Sequence, residues 1–142
     1  MRPEDCPRGP QKGTSLFYIV ESSKSFYEAC FDLDPVIQRL GFVILHTYDF
    51  SEILSRKGIG LDEECQVFEI CNYRYAEKML ATDMQLSLTM PWRISIFTEN
   101  GATKISLARP STMLAELGEN AELSRIASEI EAKMVMIVDE TR

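Results

Sequence analysis

Histidine and tryptophan each occur once in this chain. A lone histidine, His46, excludes a metal site built from several imidazoles. No apolar run approaches the ~20 residues that cross a bilayer as a helix. Met1 to Thr14 holds Arg2, Arg8 and Lys12 among prolines, and no apolar stretch of the signal-peptide kind follows. Glycine is sparse, and Gly58-Ile59-Gly60 lacks both the later glycine and the strand-to-helix setting of a phosphate loop. There is no serine-nucleophile motif and no internal repeat. Basic residues are outnumbered 15 to 22, for a net charge of −7. Such a chain gains nothing from counterion release on a nucleic acid, and anionic membranes repel it.

What is present is enough for a packed core. The chain has 142 residues, 45% of them hydrophobic, and needs no disulfide or metal to fold. Met1 to Thr14 reads as a disordered tail, and 15–142 as a single domain. A cytoplasmic location is expected, with Cys6, Cys30, Cys65 and Cys71 reduced.

Ser15 to Glu21 is β-branched and aromatic, a strand. Ser25 and Glu28 have capping-box spacing. Phe26, Ala29, Cys30, Leu33, Ile37 and Leu40 then share one helical face up to Gly41. Pro35 inside that run predicts a kink or restart, with Asp34 as the new cap. Phe42 to Tyr48 is nearly all apolar and is expected to be a central strand. It carries His46 on the face of Phe42, Ile44 and Tyr48. Phe50 to Lys57 is a short helix stopped by Gly58. Ile59 to Glu64 is a loop whose acidic run, Asp62 to Glu64, reads as solvated. Cys65 to Cys71 is a strand, and Asn72 caps a helix reaching about Ala81. Gln85 to Met90 is a further short strand or an irregular connector.

Asn100-Gly101 marks a type I′ hairpin, because both positions need positive φ. That turn sets a register. Thr98 faces Thr103, Ile96 faces Ile105 and Ile94 faces Leu107 on an apolar side. Phe97 faces Lys104, Ser95 faces Ser106 and Arg93 faces Ala108 on a mostly polar one. After Pro110 a linker leads to Asn120, the cap of a last helix with Leu123, Ile126, Ala127, Ile130 and Met134 in one stripe. Val135 to Val138 continues apolar, toward the sheet or a second subunit. The order predicts an α+β fold, a mainly antiparallel sheet with helices on one face.

Five stretches in order resemble the domain of unknown function 302 family. They are Phe-Tyr-Ile-Val-Glu, Arg-Leu-Gly-Phe-Val-Ile-Leu, Val-Phe-Glu-Ile-Cys-Asn, Met-Pro-Trp-Arg-Ile-Ser-Ile-Phe and Ala-Arg-Pro-Ser-Thr-Met-Leu. The resemblance runs from Leu16 to Met136. It implies a TATA-binding-protein-like topology in a single copy, and a homodimer. The family pattern commonly reads Cys-Asn-Pro where this chain has Tyr73, and Leu-Pro-Cys where it has Trp92. A mechanism needing a cysteine at both of those positions is therefore in doubt here.

Chemistry is expected at the Cys71–Asn72 junction. A helix start beside a thiol, with Arg74 nearby, can lower its pKa and favour a thiolate. Against that stands a buried cysteine acting as a small apolar residue. Cys65 and Cys71 share a face roughly 20 Å apart along a regular strand, too far for a disulfide. His46 is a candidate base, haem ligand or partner to Cys71, or simply a hydrogen-bonded histidine at a strand end. Tyr73 and Trp92 would wall an aromatic pocket beside the thiol. The expectation is a non-enzymatic homodimer binding a small ligand or partner near Cys71, Asn72, Tyr73, Arg74, Trp92 and His46. The rivals are a sulfur or redox carrier on Cys71, and haem or metal binding through His46 or Cys71. The sequence names no cofactor and no ligand.

Overall fold

A computed structural model describes residues 15–118 and 120–142, so the expected tail over 1–14 lies outside the described residues. Five strands, β1 (Phe17–Ser22), β2 (Val43–Asp49), β3 (Cys65–Cys71), β4 (Trp92–Glu99) and β5 (Ala102–Ala108), form one sheet in the order β1-β5-β4-β3-β2. Every pairing is antiparallel. The helices are α1 (Phe26–Arg39), α2 (Phe50–Ser55), α3 (Tyr73–Thr82), α4 (Pro110–Ala115) and α5 (Ala121–Thr141).

The hairpin register is the expected one from Ile94↔Leu107 to Thr98↔Thr103. Asn100 and Gly101 take φ of 53° and 83°, as the type I′ turn requires. Ile94, Ile96, Ile105 and Leu107 are all buried on one face. The amphipathic helices α1 and α5 pack there through Leu33, Ile37, Ile126, Ile130 and Met134. Ile137 and Val138 of α5 lie in the same core, so the apolar end of this helix is used within the chain.

Several local expectations need correction. Pro35 neither breaks α1 nor restarts it. Its missing N–H would have met the Phe31 carbonyl, and both residues lie on the solvent side, where water can take that carbonyl. Asp34 instead accepts a bond from Gln38, 3.0 Å away. Strand β2 is an edge strand, not a central one. Its partners shift between Ile44 and His46, so Leu45 is the extra residue of a bulge. Met84–Thr89 is a 3-10 helix, capped by Asp83 on the Gln85 N–H. It buries Leu86 and turns Leu88 outward, so this segment is the irregular connector and not a strand. The linker after Pro110 is α4, which takes that proline at its first turn, where no N–H is missed.

The acidic loop has a structural task. Glu63 accepts bonds from Thr98 Oγ1 and the Asn100 N–H, each 2.8 Å long, tying the loop to the hairpin turn. The Asn100 bond, then the Thr98 bond, holds its carboxyl below the usual 4.5. A depressed carboxyl contributes stability above its unfolded pKa and loses it as pH falls through the folded one. Glu63→Gln should therefore flatten the loss of stability below pH 4.5, read as midpoints of urea unfolding across the acid range. An unchanged pH profile would remove Glu63 from that role.

Candidate functional site

Asn72 stands between β3 and α3 in extended backbone, and its Oδ1 accepts from the N–H groups of Arg74 and Tyr75 at 3.1 and 3.2 Å. Its Nδ2 donates to the Gly41 carbonyl at 3.1 Å, which ties the exit of α1 to the start of α3. The amides expected to face Cys71 are thus occupied by the cap. Cys71 is 7% exposed and belongs to the core. Burial pushes its thiol pKa up, which favours the buried apolar cysteine over the thiolate. Arg74 is exposed and does not offset that burial.

Trp92 opens β4 opposite Ile70 and is 4% exposed. Its ring meets Phe42 edge to face at 6.3 Å, a packing contact of about 0.5–1.5 kcal/mol beyond its buried area. Tyr73 is 66% exposed. One ring is in the core and the other in solvent, so they do not form the expected pair of walls. A shallow depression of about 470 Å³ does lie against the Asn72 anchor, lined by Asp34, Gln38, Gly41, Phe42, Val43 and Ile44.

The bulge at Leu45 moves His46. Phe42 and Ile44 keep the helix-covered side, while His46, opposite Glu69, joins Tyr48 on the other face. There the structure assembles a group that the sequence reading did not. Tyr48 donates to Glu69 Oε1 at 3.2 Å, and Arg93 donates to Glu69 Oε2 at 2.9 Å. The His46 ring sits 4.4 Å from that of Tyr48, and Phe50 of α2 stacks on Tyr48 from beyond. Alternation puts Cys71 on the same side of β3 as Glu69, two residues further on. Both oxygens of Glu69 are engaged and its side chain is 12% exposed, whereas Arg93 is 58% exposed with guanidinium N–H groups to spare. His46 is exposed as well.

The open face continues across the sheet. Ile19, Ser106, Ser95, Val67 and Tyr48 form one cross-strand row over all five strands. Its middle is small and polar. At the β1 end Phe17 and Ile19 are 57% and 51% exposed.

The model of the family described as "Domain of unknown function DUF302" matches residues 18–141. The chain belongs to that family. It is similar to the crystal structure of an uncharacterized conserved DUF302 protein from Bacillus stearothermophilus. The two share 25% identity and a TM-score of 0.85, over 89% of this chain and 98% of that one. No curated protein matches it. The DUF302 fold here is the α+β arrangement expected, a five-stranded antiparallel sheet with helices.

Cys30, Cys65 and Cys71 are free thiols. Burial first, then the charges of Asp49 and Glu64, pushes Cys30 from 9.0 up to about 12. Among the described residues no three His, Cys, Asp or Glu side chains converge as a metal site would require.

Two measurements follow from this geometry. Cys71 should alkylate more slowly at neutral pH than a free cysteine, since burial both shields it and lowers its thiolate fraction. A fast, iodoacetamide-labelled Cys71 in mass mapping would contradict this. Asn72→Ala should cost about 0.5–2 kcal/mol of unfolding free energy by loss of the cap, with the Gly41 tie lost as well. A variant as stable as the parent in denaturant would show that neither contact matters.

Proposed function

We propose that this DUF302 chain is a non-enzymatic binding module, active as a homodimer, that takes a small carboxylate or an acidic partner segment. The contact surface is the open sheet face around His46, Tyr48, Glu69 and Arg93, with Tyr73 and Arg74 at the adjoining helix start. The observation that carries this reading is the state of Glu69. Its charge is already matched by Tyr48 and Arg93, so the remaining donors at this place are the free N–H groups of Arg93 and the His46 ring. Arg93 is suited to this, because a guanidinium fork pairs with a carboxylate through two parallel bonds.

The buried thiol with its raised pKa supports binding over sulfur or redox transfer. Haem or metal binding has thin support, since His46 is exposed while Cys71 is buried. The net charge of −7 disfavours nucleic acid. No helix of the described residues is long and apolar enough to cross a membrane. Free thiols suit a reducing compartment such as the cytoplasm. The homodimer rests on the exposed apolar side chains of β1, which a solitary chain would leave in water.

The test is a titration of the full chain with succinate and citrate, followed by amide and histidine NMR shifts, with ethylenediamine as the cationic control. Saturable shifts at His46, Glu69 and Arg93 are expected with the carboxylates alone. Arg93→Ala should weaken them by about tenfold or more, the worth of a charge-assisted bond. Shifts that are absent, unsaturable or equal with the diamine would overturn the ligand class.

A further inference from the structure

Helix α1 runs beside β2 in the opposite direction. Near its end, Asp34 and Gln38 line the shallow depression shared with Val43 and Ile44. Near its start, Tyr27 meets the far end of β2. The charge of Glu64 first, then desolvation and the charge of Asp49, hold the Tyr27 hydroxyl above its usual 10.0. The two spans agree. The helix rises about 16 Å from Tyr27 to Gln38, and the strand covers about 16 Å from Ile44 to Asp49.

Tyr27, Phe31, Asp34 and Gln38 share one flank of α1 at helical spacing. That flank does not close on the sheet. Thr47 stands on the helix-covered side of β2, opposite the buried Phe68, and is nevertheless exposed. A groove is left between α1 and β2. On its α1 wall Tyr27 is 67% exposed and Phe31 80%, two rings one turn apart in water.

The charge around these rings has one sign. Asp34 stands at one end of the groove, and Asp49 and Glu64 at the other. Among the described residues none of the three has an ion-pair partner. The basic residues at either end of α1 are engaged elsewhere, Lys24 with Asp32 and Arg39 with Glu140, each at 2.9 Å.

We propose that this groove docks an amphipathic basic helix of another protein, with apolar side chains on Tyr27 and Phe31 and a basic residue at each acidic end. A helix fits better than an added strand. The Leu45 bulge interrupts the ladder at this edge, and a helix satisfies its own backbone. Spacing sets the pattern of the partner. Tyr27 and Asp34 lie about 10 Å apart along the α1 axis. Basic residues at i and i+7 of the docked helix span the same distance on one face, with apolar residues at i+3 and i+4 between them. Arginine suits both demands, because its guanidinium pairs with a carboxylate and also lies on an aromatic face. A second copy of this chain is a poor occupant, since two chains of net charge −7 repel one another. The groove lies on the helix-covered side of the sheet and the Glu69 group on the open side, so the two surfaces are separate.

The experiment titrates the full chain with a helix-forming alanine peptide that carries arginines at i and i+7 and leucines at i+3 and i+4, followed by amide NMR shifts. The control peptide has glutamates in place of the arginines. Saturable shifts at Tyr27, Phe31, Asp34 and Thr47 are expected with the arginine peptide alone. Phe31→Ala should weaken binding by about tenfold. Asp34→Asn should weaken it as well and reduce its dependence on salt. Neither side chain belongs to the core, so both variants should keep the parent's spectrum elsewhere. Should a variant fail to fold, the titration of the unaltered chain decides alone. Absent or unsaturable shifts, equal shifts with both peptides, or shifts confined to the open sheet face overturn the proposal. So does a folded Phe31→Ala chain that binds as tightly as the parent. A parent that self-associates in sedimentation, and loses this in Phe31→Ala, would give the groove to a second copy and also overturns it.

Discussion

The type I′ turn at Asn100-Gly101 governs the rest of the molecule. Positive φ at both residues leaves two antiparallel strands with one pairing register. A slip of one residue would carry Ile94, Ile96, Ile105 and Leu107 from the helix-covered face to the other. Because the register holds, that face is apolar across β4 and β5, and α1 and α5 have a surface to pack on. The same turn sends Arg93, Ser95, Lys104 and Ser106 to the opposite face. The core and the open surface are thus two consequences of one local conformation, which Glu63 secures from the neighbouring loop.

That one-sidedness explains why the polar group centred on Glu69 lies where it does. A carboxylate on β3 can point away from the core, where the Arg93 guanidinium and the Tyr48 hydroxyl bond its two oxygens although its side chain is largely covered. The bulge in β2 completes the group. Without Leu45 as an extra residue, His46 would share the side of Phe42 and Ile44. With it, the ring joins Tyr48 beside Glu69. Edge strands tolerate such insertions because one side of their ladder is unpaired. An apolar composition led to the expectation of a central β2, yet its position at the edge is what makes this arrangement possible.

Much of the fold was legible because its signals are local. Ser25 and Asn72 act as caps where their spacing to the following amides says they should. The hairpin follows from two residues. The stripe from Leu123 to Met134 faces the core as its period requires. What was not legible depends on partners distant in the chain. Arg93 could be placed on the polar side of β4, and Glu69 on one side of β3, from alternation alone. Their pairing could not, because α3 and the 3-10 helix intervene between the strands, and no tight turn sets that register. A bulge leaves no mark in a run such as Val-Ile-Leu-His-Thr, and Pro35 is tolerated for a reason visible only once its face of α1 is known to be wet.

The Cys71 junction shows how one local feature decides between the two chemical readings open for the thiol. Asn72 caps α3 as expected, and for that reason its side chain takes the amides that would otherwise have favoured a thiolate. A capped helix start is electrostatically quieter than an open one, because its donors are already paired. Burial then decides the balance, and it favours the neutral thiol. The neighbouring position on the same side of the strand is the contrasting case. Glu69 is also largely covered, but Arg93 and Tyr48 compensate its charge, and one of them keeps donors free for something else. Two residues apart on β3, one polarisable group is silenced by apolar packing and one charged group is held ready by its partners. This difference is why the proposed contact surface centres on the carboxylate–guanidinium pair and not on the thiol.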